Sequence, residues 1–312
     1  MRGKVTFHDS YWYCYANSAA MLLSAGGEQV SPRLIEVLSG VGLGAFSRDG
    51  LAFFSGLTGA PDKGISQALS TLGFAFTEEA RETPDDAPFD ALEATLQISP
   101  VVVGPLDMSF LSYNPGRPRF PGVDHYVVVY KIEGDRVFVY DPAGYGEAFL
   151  TKTELADAWR ADAIVYKRGH YRSWSHPHRI ASPTQDAIVE EAILFFKGRY
   201  AESAALAAAE SQAIDEQAIT ELAELVRRDG LSTGQRGHLL YFALPLGVKR
   251  ALDFANFFEA RHADLAQLKR RQAGVFGTCL THLARNDAPA ASGELLELAS
   301  LEKRIREAVV SF

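Results

Sequence analysis

Apolar and polar positions alternate with two different periods along the chain, and the change from one to the other divides it. Up to about residue 168, short β-branched and aromatic runs are interspersed with short helical patterns; after about residue 183, nearly everything follows a helical period rich in Ala, Leu and Glu. Cys14 to Ala25 reads as a helix with small and apolar residues on most faces, the pattern of a buried helix, and Gly26-Gly27 ends it. Ser31-Pro32 opens a second helix to Leu38. Residues 40–64 are glycine-rich and loop-like, Ile65–Leu72 and Phe89–Leu96 are short helices, and Val101–Val103 is a buried strand. Residues 105–122 carry four prolines and two glycines and read as a long loop of the kind that often carries function. His125–Ile132 and Arg136–Tyr140 flank Glu133-Gly134-Asp135 and predict a β-hairpin. Thr151 and Glu154 form a capping box for a helix to Arg160, and Ala163–Tyr166 is read as a last strand.

The expected domains are residues 1–168 and an all-helical 184–312, joined by a linker at 169–183. Six helices are expected in the second part, at about 184–198, 201–211, 214–228, 235–260, 261–285 and 292–310, with Leu244-Pro245-Leu246-Gly247 kinking or splitting the fourth.

Composition adds limits. The 312 residues are 47% hydrophobic and 22% charged, an ordinary globular balance, with a net charge of −8. That charge argues against nucleic acid or an anionic membrane as partner and suits a cationic substrate better. Two cysteines, Cys14 and Cys279, do not make a disulfide framework. With no signal-peptide pattern at the start and no apolar run near the ~20 residues of a membrane span, the expected location is the cytoplasm.

Candidate chemistry centres on Cys14. A cysteine opening a helix has its thiolate favoured by the helix's positive end, and free N–H groups there can bind an oxyanion. A lone cysteine is more often structural, but His125 begins the hairpin's first strand and Asp141 ends its second, so the turn returns the carboxylate to the imidazole. A carboxylate on one ring nitrogen leaves the other to take a proton from a thiol. Cys279, inside a helical pattern beside Val275 and Leu283, reads as structural.

A cysteine opening the first long helix, then His-Tyr-Val-Val-Val at 125–129 and Val-Phe-Val-Tyr-Asp-Pro at 137–142, resembles the papain-like fold. Within it, residues 5–168 are similar to the bacteriocin-processing peptidase domains of export transporters and closer still to the N-terminal domain of the butirosin biosynthesis protein H family. The helical part resembles the domain of unknown function often attached to that family. The resemblance implies an α+β fold, helices packed on an antiparallel sheet, followed by an all-α domain. It also implies an acyltransferase, with Cys14 accepting an acyl or aminoacyl group from the phosphopantetheine arm of an acyl carrier protein and passing it to a small-molecule amine, His125 acting as base and acid in turn. No cofactor is expected on the chain itself. A cysteine peptidase or amidohydrolase with the same triad and water as acceptor is the alternative; a binding module that kept the fold and lost catalysis is a third reading, disfavoured by the intact triad.

Papain-like enzymes commonly carry a glutamine oxyanion donor before the cysteine. His8 stands at that spacing, six positions before Cys14, with Asn17 as the other candidate donor. Tyr11, Trp12, Tyr13 and Tyr15 crowd Cys14; Tyr11 and Tyr13 are candidate substrate-groove residues, although packing is the simpler reading. Asp107 and Asp124 flank the long loop before His125 and could bind a cationic substrate, Asp124 being taken as the candidate, although loop-surface carboxylates are usually just solvated. His170, His176 and His178 with Arg172 and Arg179 lack a completing cysteine or carboxylate, so no metal is assigned. Gly42-Leu43-Gly44 lacks the context of a dinucleotide loop. The helical part is open to three roles: covering the active site, binding the carrier protein or forming a homodimer.

Overall fold

The structure is a computed structural model and describes residues 5–9 and 12–312. It forms two compact units: one holds residues up to 35 and 60–182, the other residues 36–59 and 183–312.

The first unit is built on a six-stranded sheet in the order β3-β8-β4-β5-β6-β7, antiparallel at every pairing. The strands are Phe74–Arg81 (β3), Val101–Asp107 (β4), Asp124–Glu133 (β5), Arg136–Asp141 (β6), Tyr145–Thr151 (β7) and His170–Arg179 (β8). Val101, Val102 and Val103 explain why β4 is central: it is buried along its whole length, so a run without polar alternation fits it. Cys14–Ala25 (α1) packs on β4 and β5 and is buried on most sides, as its mixed apolar faces predict. Lys152–Arg160 (α5), opened by the expected Thr151/Glu154 capping box, lays Leu155, Ala158 and Trp159 against Val103, Leu106, Val127, Val129, Val137 and Val139. Gly104 permits one close approach: a Cβ there would lie 2.4 Å from the Tyr126 ring. The other helices of this part of the chain are Pro32–Leu38 (α2), which opens at the expected proline, Pro61–Thr71 (α3) and Phe89–Leu96 (α4).

Several expectations fail here for definable reasons. The segment read as a linker is largely β8, in the interior of the sheet. Its run HYRSWSHPHR looks like a connection because it is polar, yet Arg172, Ser173 and Ser175 are buried. Arg172 is held by ion pairs to Glu78 and Asp62, so the polar strand keeps its partners inside. Ala163–Tyr166 is not a strand but a pair of turns, with Val165 exposed. The edge strands β3 and β7 escape a search for alternation because an edge strand exposes much of its length and needs little apolar alternation.

The second unit contains Gln185–Glu210 (α6), Asp215–Arg227 (α7), Thr233–His238 (α8), Leu244–Phe258 (α9), Ala263–Ala284 (α10) and Ala288–Ser311 (α11). α6 is one helix, not two; Gly198 lowers helix propensity without breaking the hydrogen-bond ladder. The split at Pro245 occurs as expected, through a π-helical turn at Leu239–Ala243 that precedes the proline at the start of α9.

Residues 36–59 are not a free loop. Phe46–Arg48 (β1) and Leu51–Phe53 (β2) form a small hairpin, and Ala45, Ala52 and Phe54 share a core with Ile219, Leu222, Leu244, Phe276, Leu295 and Leu298. Polar side chains fix the backbone of this segment: Gly44 N donates to Glu302 (3.0 Å), Ala45 N to Asp215 (3.3 Å), and Arg250 donates to Phe54 O (3.3 Å) and to the Glu36 carboxylate (2.7 Å).

Asp215 makes this unit sensitive to pH. Burial and the nearby Glu302 charge raise its pKa to about 6; the Ala45 N–H and Arg306 only partly counter them. Its folded value therefore lies above the unfolded value of about 3.9. That contribution to stability is full below about pH 4 and is lost as pH rises through 6. Asp215→Asn is expected to remove this dependence, so that the melting temperature of the variant changes less between pH 5 and pH 7.5 than that of the parent. An equal fall in both proteins would show that another group is responsible.

Candidate active site

Cys14 is the first residue of α1. The preceding Tyr13 offers no side-chain cap, and the first turn carries no acidic residue. The helix's first internal bond runs from Asn17 N to Tyr13 O at 2.8 Å. The positive end of α1 is thus not neutralised by a carboxylate of its own first turn, and it bears directly on the thiol.

His125 is the second residue of β5, and Asp141 the last of β6. Register pairs Val128 with Tyr140 and Val129 with Val139, so the hairpin brings its two ends together. His125 Nε2 lies 2.7 Å from Asp141 Oδ1, with both side chains almost completely buried. A carboxylate only accepts, so Nε2 carries the hydrogen and Nδ1 is left for Cys14. The Cys14 and His125 side chains are hydrogen-bonded to each other.

Asp141 has three donors. Besides His125, Ala143 N donates to Oδ1 (2.7 Å) and the Tyr113 hydroxyl to Oδ2 (2.8 Å). Burial opposes its charge, but His125 and these donors outweigh burial and hold its pKa below the ordinary value. Burial likewise opposes a charged His125, but the Asp141 charge and hydrogen bond, with Cys14, raise its pKa well above the ordinary value. For Cys14, burial pushes the pKa up, the His125 bond and charge pull it down, and Asp124 and Asp141 push it up. Burial outweighs the pull of His125, so the Cys14 pKa stays above its ordinary value; His125 and the start of α1 are the two features that favour the thiolate.

The other site expectations divide. Asp124 is partly exposed beside His125, its Oδ2 accepting from Tyr166 (2.8 Å), and Tyr166 in turn meets the Tyr126 hydroxyl (3.1 Å). Tyr126 packs its ring edge-on against Tyr15 of α1. Tyr13 is fully buried, so its ring is part of the packing under α1 rather than a groove wall. Tyr11 lies outside the described residues. His8 is half-buried; burial lowers its pKa, with Asp9 partly opposing, and nearby Thr6 N donates to Ser24 Oγ of α1. Asn17 is buried and its amide donates to Tyr13 O (2.8 Å), bracing the turn that presents Cys14.

Asp107 accepts from Ser109 and from Gly122 N, closing the two ends of the long loop. Cys279 is buried in the helical unit, and burial raises its thiol pKa to about 12, which makes it inert. His170, His176 and His178 bond separately to Arg160 O, Ser175 and His176 O. Among the described residues, no group of three or more His, Cys, Asp or Glu is placed to hold a metal ion. No helix among them is long and apolar enough to cross a membrane.

Sequence reasoning missed Tyr113, Tyr126 and Tyr166. Tyr113 lies in the long loop, where no periodicity points at it; the only available signal was an aromatic residue in a loop already suspected of function.

The Peptidase C39 family matches residues 119–170, a stretch that includes both His125 and Asp141. The YobF C-terminal domain matches residues 208–310. The peptidase domain of Streptococcus ComA, a bi-functional ABC transporter involved in a quorum sensing pathway, superposes with a TM-score of 0.36 at 15% identity, covering 56% of this chain and 98% of that one. The antiparallel sheet with its packed helices and the C39 match define an α+β, papain-like cysteine-peptidase fold followed by a helical region. The uncharacterized protein YobF of Bacillus subtilis (strain 168) is 36% identical over 294 residues, 94% of each chain. The chain belongs to the YobF family.

Proposed function

We propose that this papain-like cysteine enzyme is an acyltransferase that forms amides through a thioester on Cys14. The observation that carries the reading is the Cys14 thiol at the uncapped start of α1, hydrogen-bonded to an imidazole whose Nε2 is held 2.7 Å from Asp141. The Cys14 thiolate attacks the carbonyl of an acyl carrier protein thioester, and N–H groups at the start of α1 receive the oxyanion. The phosphopantetheine thiolate leaves and takes the imidazolium proton. An amine then attacks the Cys14 thioester, His125 accepts the amine's proton, and the thiolate and imidazolium are restored as the amide departs.

Two features favour an amine acceptor of specialised, antibiotic-like metabolism: the residue-level resemblance of 125–129 and 137–142 to the butirosin biosynthesis protein H family, and a net charge of −8. Asp124 is the acceptor-side carboxylate in this reading. It opposes the thiolate electrostatically, a cost that makes sense if it meets a cationic substrate group. Asp124→Asn is expected to raise KM for a cationic amine roughly three- to tenfold, the worth of a partly exposed ion pair. An equal rise for a neutral amine would rule the charge out as the cause.

The C39 match favours a second reading, a cysteine peptidase or amidohydrolase in which water takes the amine's place. One experiment separates them. The protein is incubated with an acyl-loaded carrier protein and the Cys14 peptide is weighed. Transfer predicts an acyl adduct that persists until an amine is added; rapid loss of the adduct, unaffected by amines, supports hydrolysis.

A further inference from the structure

The triad's carboxylate is held from the long loop as well as from its own strand. Between β4 and β5 the chain makes two short 3₁₀ turns, Met108–Phe110 and Arg117–Arg119, and Tyr113 stands between them. Its hydroxyl reaches Asp141 Oδ2 at 2.8 Å. His125 and Ala143 N share the other oxygen, Oδ1, each at 2.7 Å. The Tyr113 ring packs against Tyr145, the first residue of β7, with centroids 5.4 Å apart. The Tyr145 hydroxyl donates to Asn114 Oδ1 (3.3 Å), which also accepts from Gly116 N (2.8 Å). Asn114 is itself buried. Loop, triad carboxylate and the start of β7 are therefore one connected assembly.

We propose that Tyr113 is a positioning residue for the triad: its hydroxyl occupies the Asp141 oxygen that His125 leaves open, fixes the plane of the carboxylate, and through it holds the imidazole toward Cys14. The inference rests on the triad reading above. Rotation about the Cβ–Cγ bond swings both carboxylate oxygens; the two donors on Oδ1 resist it from one side, and a third donor on Oδ2, delivered from a different segment, resists it from the other. The same bond also tempers the carboxylate. A neutral O–H donor draws charge from Asp141 and so weakens its pull on the imidazolium proton.

The titratable groups facing the pair are Cys14 from α1, Asp124 from β5, Tyr113 from the loop and Tyr145 from β7, with Tyr126 beyond Cys14. Only Tyr113 and His125 among them have a side-chain hydrogen bond to Asp141. Tyr113→Phe removes that bond and retains the ring against Tyr145.

The test needs no substrate. Alkylation of Cys14 by iodoacetate, an anion drawn by the imidazolium, follows a bell-shaped pH profile when a thiolate–imidazolium pair is present. In Tyr113→Phe the alkaline limb is expected to move upward by roughly half a unit to one unit, because Asp141 holds the imidazolium proton harder. The peak rate is expected to fall about three- to tenfold from lost orientation. Tyr145→Phe is the comparison: it loosens the loop at Asn114 but keeps the Tyr113 hydroxyl for Asp141, so it should move the alkaline limb much less than Tyr113→Phe does. A Tyr113→Phe profile identical to the parent's overturns the inference, as does an equal shift in Tyr145→Phe, which would assign the effect to loop packing. A parent protein with no bell at all would sink the triad reading and this inference with it; a bell unmoved in Tyr113→Phe sinks this inference alone.

Discussion

Cys14→Ala is expected to abolish acyl-adduct formation and to reduce turnover by about 10⁴-fold or more, the scale seen when the nucleophile of a triad is removed. The fold should survive. Cys14 is a partly exposed first-turn residue, and alanine has the higher helix propensity. Cys14→Ser is expected to fail nearly as completely. The hydroxyl is the weaker acid by a wide margin, so the ionised nucleophile that a thiol supplies beside His125 does not form with serine. The measurement is single-turnover acyl loading followed by peptide mass, with Cys279→Ala as the comparison. Cys279 is the second thiol, and its burial predicts no adduct there. An adduct that persists in Cys14→Ala would overturn the nucleophile assignment.

Ending the chain at Ser182 is expected to cost the remaining part its integrity as well as the helices. Residues 36–59 belong with the helical unit, and Val41, Leu43, Phe46, Phe54 and Leu57 are buried there. Each large apolar side chain returned to water costs roughly 1.5–3 kcal/mol. A domain's net stability is only about 5–15 kcal/mol. The backbone groups of Gly44 and Ala45 would also lose their carboxylate acceptors. The shortened chain should aggregate, or be cut first within 36–59 when treated with a trace of protease; the full chain should resist there. Limited proteolysis with mass mapping decides it. A monomeric fragment with 36–59 protected would show that this segment finds its structure without the helices.

What can be read from the order of residues is what is local. The helix from Cys14 follows from twelve residues with few polar positions, and the Thr151/Glu154 capping box from four. The hairpin that joins His125 to Asp141 closes over only 16 positions, so the imidazole–carboxylate pair is legible in the sequence itself. Pro245 announces its break in the helix for an equally local reason: it lacks an N–H.

The rest depends on partners far away in the chain. The Gly44 N–H meets Glu302 across 258 positions, and no pattern within residues 40–64 foretells that a glycine-rich stretch will be core to a helical unit. β8 resembles a linker until Asp62 and Glu78 are seen to neutralise Arg172. His8 has the spacing of an oxyanion donor, but spacing along an irregular segment does not set direction, and its charged neighbour is Asp9. Tyr113 has no spacing rule at all; only the path of its loop brings the hydroxyl to Asp141. The sequence determined a cysteine at a helix start and a histidine–aspartate hairpin, because turns and helices are closed by neighbours. Tertiary structure decided which side chains hold that triad in place and which unit residues 36–59 belong to, because those contacts are closed by packing between distant segments.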